Sequence, residues 1–213
     1  MAHCEVLIES APRSGEQNMA IDAQLLADAV EKGESTLRFY RWDQPTISLG
    51  YFQKSDTPIP DDLAGLPVVK RLSGGGAILH DQELTYSIAL AKSHPWTRDP
   101  SRLYVLVHDH IIAILEAKGL TCRLRGDQEA DPSNKSFLCF SRADANDIVA
   151  DPGKIVGSAQ RRRRGSVLQH GSLILSSSEY TPEFSGVLDL GVSTTFEELS
   201  GQLSKRLISA MHI

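Results

Sequence analysis

Three successive glycines, Gly74–Gly76, separate two apolar runs in the stretch VVKRLSGGGAILHD, which covers residues 68–81. Because glycine has no side chain, its backbone can adopt positive φ and other atoms can approach its N–H groups closely. Several such N–H donors in a row form a concave site that suits a phosphate, a carboxylate or an oxyanion. Arg71 and His80 stand at the two ends of the stretch, which favours binding of an anion or an acyl group.

The glycine pattern matches neither of the two common nucleotide-binding motifs, GxxxxGK[ST] and GxGxxG. A mobile hairpin tip remains the simpler interpretation, because glycine-rich turns are common. On either interpretation, Asp81 is expected to cap or brace the turn that follows His80. The glycines by themselves therefore leave a binding turn and a plain turn open.

Cys139 and Lys154 are the two residues whose types suit covalent acyl chemistry. A thiolate is a strong nucleophile, and a nearby ammonium group lowers the pKa of a thiol below about 8.5. An ammonium group can also bind a carboxylate or stabilise the charge that develops on an acyl oxygen. Against this, a free cysteine is most often a small buried hydrophobic residue and a strand lysine is most often solvated.

Four consecutive basic residues, Arg161–Arg164, stand out in a chain whose formal net charge is −5. Such a run is usually a solvated loop. The functional alternative is a docking patch for an acidic protein, which would speed the encounter in a salt-dependent way. The acidic net charge argues against a general nucleic-acid binder.

The elements that must position these residues follow from hydrophobic periodicity. Apolar stripes predict helices from a cap at Asn18 to about Lys32, from about Ser101 to Lys118, and from Thr194 to Ile213 with a Thr194–Glu197 capping box. Short apolar or alternating runs predict strands, and Gly126–Ser136 is predicted as a polar loop. The predicted strands are Leu37–Trp42, Thr46–Tyr51, Val68–Leu72, Ala77–His80, Leu84–Leu90, Leu120–Arg125, Ile148–Val149, Lys154–Gln160 and Val167–Leu175.

This mixture of helices and strand pairs with short turns predicts an α+β fold, in which helices flank a mixed, largely antiparallel sheet. The length of 213 residues and the even composition predict a single domain over residues 1–213, without a C-terminal accessory domain. There is no signal-peptide pattern and no apolar run long enough to span a bilayer, so no membrane association is expected. Three scattered cysteines, Cys4, Cys122 and Cys139, suggest neither a disulfide framework nor a metal site and favour the cytoplasm.

Two blocks of the sequence resemble a known family. KRLSGGGAILHD and the block KIVGSAQRRRRGSVLQHGSLIL, which runs from Lys154 to Leu175, are similar to signatures of the biotin/lipoate protein ligase superfamily, in its lipoate and octanoate branch. The biotin branch has an Arg- and Gly-rich phosphate loop in place of the first block and fits poorly. The order of strands and helices extends the resemblance over nearly the whole chain.

The resemblance implies transfer of an acyl group onto a lysine of a lipoyl domain or of a glycine-cleavage H protein. It implies that Lys154 is central, that Cys139 is the second catalytic residue, and that the glycine turn and neighbouring strands enclose a narrow site for an eight-carbon chain. The residues themselves are compatible with such a site, since Ala77, Ile78, Val156 and Ala159 are apolar candidates for its lining. The residues expected to bind substrate or acyl group are Arg71, Ser73, Gly74, Gly75, Gly76, Ala77, His80, Gly157, Ser158, Ala159 and His170.

Two chemistries within the branch fit this sequence. The Cys139–Phe140 pair ahead of the lysine strand resembles the Gram-positive-type octanoyltransferases, whose cysteine attacks octanoyl-acyl carrier protein without any cofactor. Asn146–Asp147 resembles the Asn-Asp pair of ATP-dependent lipoate–protein ligases, which would use ATP and Mg²⁺ and form a lipoyl-adenylate. The expected lack of a ligase-type accessory domain favours the transferase, and a non-catalytic lipoyl-domain binder is the third alternative.

Overall fold

The computed structural model describes residues 4–131, 133 and 136–211. Its helices are α1 (Gly15–Glu31), α2 (Pro100–Ala117) and α3 (Phe196–Met211). The strands are β1 (Cys4–Ile8), β2 (Ser35–Tyr40), β3 (Thr46–Leu49), β4 (Val68–Lys70), β5 (Ile78–His80), β6 (Glu83–Leu90), β7 (Arg123–Leu124), β8 (Ile148–Ala150), β9 (Gly153–Arg163) and β10 (Ser166–Ile174).

Seven strands form one sheet in the order β1-β2-β6-β10-β9-β8-β7, and β3 forms a smaller sheet with β4 and β5 on its two sides. Within the large sheet only the β1–β2 pair is parallel. The predicted α+β fold with a mixed, largely antiparallel sheet is therefore confirmed. The parallel edge strand β1 was absent from the sequence prediction.

The large sheet is covered on both faces, because α2 and α3 pack on one face and α1 on the other. The first core layer joins Leu103 and Val107 of α2 and Leu203 of α3 to Leu37 and Ile88 of the sheet. The second layer joins Leu26 and Ala29 of α1 to Ala89 and Leu168. This two-sided cover explains why every residue of β6 is buried although its sequence alternates.

Helix α1 begins earlier than its predicted cap at Asn18. Ser14 caps the helix in a capping box with Gln17, so each side chain satisfies a backbone N–H of the other residue. Asn18 is instead fully buried, and its side-chain amide donates to the carbonyl of Arg41 at 3.0 Å. A residue type that favours helix caps thus serves a tertiary contact here.

Helix α2 matches its prediction to within one residue at each end, and α3 begins slightly later than predicted. The N–H of Glu198 donates to Oγ1 of Thr195 at 3.2 Å, so the cap is Thr195 and not Thr194. The predicted continuation of α3 to Ile213, and residues 132, 134 and 135 of the predicted polar loop, lie outside the described residues. No helix in the described part of the chain is both long and apolar enough to cross a membrane.

The glycine stretch does not join two paired strands. Strands β4 and β5, which flank it, pair with opposite sides of β3, β4 in parallel and β5 antiparallel. The chain must therefore cross the end of β3 between Arg71 and Ala77. A crossing in so few residues needs a tight, glycine-rich backbone, which a simple hairpin would not require.

Candidate active site

A cavity of about 350 Å³ opens between the glycine turn, the middle of β9 and β10, and the segment that leads into β8. Its lining brings together Arg71, Ser73, Gly74, Gly75, Gly76, Cys139, Lys154, Gly157, Ser158, Ala159 and His170, all of which the sequence analysis had singled out. Residues more than sixty positions apart thus share one cavity. Its volume lies within the range of about 300–1,000 Å³ typical of small-molecule sites.

Arg71 holds the glycine turn in place from inside the protein. It is 2% exposed, and its Nη2 donates to the carbonyls of Gly74 at 2.7 Å and Gly76 at 2.6 Å. Its Nη1 donates to the carbonyl of Ser48 at the end of β3 at 2.7 Å. Burial lowers the pKa of Arg71 to about 10, which still leaves the guanidinium charged at neutral pH.

Gly75 is the one glycine of the turn with positive φ, at 93°. A Cβ atom placed on it would lie 3.0 Å from Nη2 of Arg71 and 3.7 Å from Sγ of Cys139. The thiol and the buried guanidinium therefore approach the same point on the backbone. Any side chain at this position would be strained and would also fill the space between them.

Cys139 lies below the glycine turn because the two segments are joined by backbone hydrogen bonds. The N–H of Ala77 donates to the carbonyl of Phe137 at 3.1 Å, and the N–H of Cys139 donates to the carbonyl of Ala77 at 2.6 Å. Cys139 then begins a single turn of 3₁₀ helix and remains half-buried at the cavity wall. These two hydrogen bonds fix the position of the thiol relative to Gly75.

Lys154, near the start of β9, extends its side chain toward the same segment. Its Nζ lies 2.8 Å from Oδ1 of Asp147 and donates to the carbonyl of Cys139 at 3.3 Å. It also lies 4.9 Å from the centre of the Phe140 ring. A Cβ on Gly157 would come within 2.7 Å of Cε of Lys154, so the glycine provides the room that the lysine occupies.

Asp147 is the ion-pair partner that the sequence analysis had noted only as part of an Asn-Asp resemblance. Burial raises the pKa of its carboxyl group, and the charge of Lys154 acts in the opposite direction. Nε of Arg125 lies 3.6 Å from the other carboxylate oxygen. Asp147 therefore fixes the lysine within the cavity wall. Arg142, which also lines the cavity, was missed because no motif marks it.

Ala77 and His80 do not line the cavity, in contrast to the expectation that they contact substrate. His80 is fully buried behind the glycine turn, where it stacks on Trp42 with ring centres 4.0 Å apart. Its Nε2 is 2.8 Å from Oγ of Ser48, and its Nδ1 is 2.8 Å from Oε1 of Glu83. Since Ser48 also contacts Arg71, His80 supports the turn from behind.

His170 does reach the cavity wall, with 4% of its surface exposed. Burial, and then the charges of nearby His80, Arg71 and Arg38, lower its pKa well below the usual value, so the imidazole is neutral. Within the described residues, Nε2 of His170 and Oγ of Ser73 are buried without a hydrogen-bond partner. These two atoms are available to the polar part of a bound molecule.

The family model of the lipoyl protein ligase A/B catalytic domain matches residues 14–198. The chain belongs to this family. Among curated proteins, this chain is 41% identical to the octanoyltransferase LipM of Oceanobacillus iheyensis over 179 residues. The match covers 79% of this chain and 63% of that protein. It is 35% identical to octanoyltransferase LipM of Clostridioides difficile, over 79% of this chain and 65% of that one. The chain thus spans less than two thirds of the length of these relatives.

Solved structures of the family share the fold. The bi-partite lipoate protein ligase of Thermoplasma acidophilum superposes with a TM-score of 0.72 at 20% identity, over 99% of this chain and 85% of that one. LipL1 of P. falciparum, solved in complex with lipoate, superposes with a TM-score of 0.70 at 16% identity, over 98% of this chain and 60% of that one. At these identities the likeness shows a shared fold and nothing more.

Proposed function

We propose that this chain transfers an octanoyl group from octanoyl-acyl carrier protein to the lysine of a lipoyl-carrying protein, through an acyl-enzyme on Cys139. The observation that carries the proposal is the position of the Cys139 thiol, which shares a cavity with the glycine turn and the Lys154 ammonium. The names of the relatives, octanoyltransferase LipM, support the same activity. A cytoplasmic location, where thiols stay reduced, belongs to the proposal.

In the first half of the reaction the Cys139 thiolate attacks the thioester carbonyl carbon. A new C–S bond forms, the carbonyl electrons move to oxygen, and the collapse of this oxyanion expels the thiolate of the carrier protein, which takes a proton. The N–H groups of the glycine turn and the nearby cations Arg71 and Lys154 supply positive potential where the oxyanion develops. No nucleotide is needed, because a thioester is already an activated acyl group.

In the second half the neutral amine of the acceptor lysine attacks the acyl-enzyme. The C–N bond of the amide forms, the C–S bond to Cys139 breaks, and the proton lost by the amine ends on the thiol. Ile78 and Phe140, with Ala159 of β9, provide apolar surface for the acyl chain in the cavity. The lipoyl domain that accompanies the bi-partite ligase of Thermoplasma acidophilum indicates the kind of acceptor we propose here.

A comparison of acyl donors tests the proposal. With a lipoyl domain as acceptor, we expect this chain to transfer octanoate from octanoyl-acyl carrier protein in the absence of ATP. We expect no transfer from free octanoate, with or without ATP and Mg²⁺. Intact-mass spectrometry of the acceptor measures both. Transfer from free octanoate that requires ATP would establish the ligase alternative, which the Asn146–Asp147 pair favours. Transfer from neither donor would indicate that the chain binds lipoyl domains without catalysing transfer.

The arginine run extends the proposal to the protein substrates. Arg162 and Arg163 end β9 and are exposed, and Arg164 with Gly165 forms the turn into β10. The guanidinium of Arg161 lies over the ring of Tyr51 at 4.0 Å, beside the exposed Phe52 and near Gly74. The positive patch therefore lies beside the glycine turn, where an acidic carrier domain would place its acyl group.

Neutralising Arg162 and Arg163 together is expected to raise KM for octanoyl-acyl carrier protein by about tenfold at low salt and to leave a small octanoyl thioester unaffected. The reason is that exposed charges steer protein association and are screened by salt. Steady-state kinetics at two salt concentrations measures this, with neutralised Lys205 and Arg206 on α3 as the matched control. Equal losses for the protein and the small thioester would contradict docking at the arginine run.

A further inference from the structure

A chain of hydrogen bonds reaches the cavity at Ser158 and takes no part in the mechanism above. The Tyr86 hydroxyl lies 2.5 Å from Oγ of Ser158, and Oγ of Ser158 lies 2.6 Å from Nε2 of His108. Nδ1 of His108 lies 2.5 Å from the backbone carbonyl of Asn146. The chain thus links α2, two central strands and the segment that carries Asp147.

The two ends of this chain determine where each proton lies. A carbonyl oxygen can only accept, so Nδ1 of His108 carries the proton toward Asn146. Nε2 of the neutral ring is then an acceptor, and the Ser158 hydroxyl donates to it. The Tyr86 hydroxyl, which accepts from Nε2 of Gln169 at 3.4 Å, donates to Ser158. Ser158 therefore donates one hydrogen bond, accepts one, and keeps one lone pair.

Ser158 is the member of this chain that meets the cavity. It is half-buried and lines the cavity, whereas Tyr86 and His108 are fully buried. Cys139 and Lys154 line the same cavity, and the Lys154 ammonium donates to the carbonyl of Cys139. A hydroxyl whose own proton is committed to an imidazole thus shares the cavity with the proposed acyl-enzyme. This is the arrangement by which a serine passes a proton to histidine.

We propose that Ser158 and His108 form a proton relay that accepts the proton of the attacking lysine amine during transfer from Cys139. The proposal rests on the function proposed above and concerns its second half. Ser158 is the group that touches the amine, and His108 acts through Ser158. The Asn146 carbonyl holds the imidazole in the tautomer that the relay needs.

The step balances within the site. As the amine nitrogen bonds to the carbonyl carbon, its proton moves to Oγ of Ser158 and the Ser158 proton moves to Nε2 of His108. The C–S bond then breaks, and the relay returns one proton to the departing Cys139 thiolate. The products are the amide and the free thiol, with Ser158 and His108 in their starting states.

The environment of His108 keeps the imidazole neutral, so that it holds an extra proton only transiently. Burial lowers the pKa of the imidazole to about 4, and the charge of nearby Lys154 acts in the same direction. The ring is therefore neutral at neutral pH, its Nε2 lone pair can accept a proton, and the imidazolium returns that proton readily. The hydrogen bond to the Asn146 carbonyl opposes this lowering of the pKa, and to a smaller extent so does Asp144, which lines the cavity.

Separate assays of the two half-reactions test the relay. S158A removes the hydroxyl, and H108N keeps a donor for the Asn146 carbonyl but removes the acceptor for Ser158. In both variants we expect transfer from octanoyl-Cys139 to a lipoyl domain to slow by about 100-fold, the usual size of a general-base contribution. Acylation of Cys139 by octanoyl-acyl carrier protein, followed by rapid-quench mass spectrometry, is expected to change far less. H110N, the same substitution two residues along α2 and outside the chain of hydrogen bonds, is the matched control.

Hydroxylamine as acceptor separates a relay from a structural role. It is neutral at pH 7 and loses its proton easily after attack, so it should deacylate S158A and H108N at close to the wild-type rate. If hydroxylamine and the lysine are slowed equally, or if acylation and transfer are slowed equally, the relay is wrong. If wild-type Cys139 never becomes acylated, the proposed function is wrong and the relay falls with it.

Discussion

Replacing Cys139 by alanine is expected to abolish the octanoyl adduct and to reduce transfer from octanoyl-acyl carrier protein by about 10⁴-fold or more, as is usual when a covalent nucleophile is removed. The fold should survive, because the side chain is half-buried at the wall of a cavity and alanine leaves the N–H bond to Ala77 intact. Intact-mass spectrometry of the enzyme after incubation with the thioester measures the adduct. Rapid-quench assays with a lipoyl domain measure the transfer.

Cys122 provides the matched control for this experiment. It is a free, buried cysteine in the main core, and burial raises the pKa of its thiol to about 11, which leaves it unreactive at neutral pH. C122A should therefore retain the adduct and the transfer. An adduct that persists in C139A, or full transfer by C139A, would show that the acyl group does not pass through Cys139.

Replacing Lys154 by methionine is expected to have two effects that a second substitution can separate. The first is a loss of about 3 kcal/mol in the free energy of unfolding, because removing one member of a buried ion pair leaves the other charge uncompensated. Asp147 is that other charge, at 2.8 Å, and Arg125 at 3.6 Å compensates only part of it. The second is a loss of transfer by about 100-fold or more, because the cation beside the developing oxyanion is gone.

The double variant D147N/K154M distinguishes the two effects. A neutral amide at position 147 no longer needs a cation, so most of the lost stability should return, as measured by urea denaturation. Transfer should stay at the level of K154M. If activity returns together with stability, Lys154 is only structural, and the ammonium contributes nothing to the chemistry. D147N alone provides the reference for changes at position 147.

The sequence predicted the elements well wherever the signal is local. The apolar stripe of α2 and the glycine after it placed that helix to within a residue, since periodicity and a stop signal act over a few turns. The caps at Asn18 and Thr194 were misplaced, because a cap is decided by which neighbouring side chain actually reaches the free N–H groups. Strand β1 was missed, because a short edge strand has little pattern of its own.

The residues of the candidate site also fall into those that the sequence identified and those that only the structure revealed. The glycine turn, Cys139 and Lys154 were recognised from residue type and motif, and the structure brings them into one cavity. His80 has the same motif support but lies behind the turn, because its ring stacks on Trp42 and binds Ser48 and Glu83. The Asn-Asp resemblance marked Asp147 but not its ion pair with Lys154, and His108 had no signal, because its partner Ser158 lies fifty residues along the chain.

The sequence alone determined the family, the mixed fold and the chemical groups on offer, since these depend on residue identity and on spacing along the chain. The tertiary structure decided which groups meet. Strand β9 positions Lys154, and the crossover around β3 positions the glycines. The backbone hydrogen bonds between Ala77 and the Phe137–Cys139 segment position the thiol. Their convergence depends on sheet register and on the buried hydrogen bonds of Arg71, which act between residues that no local pattern connects.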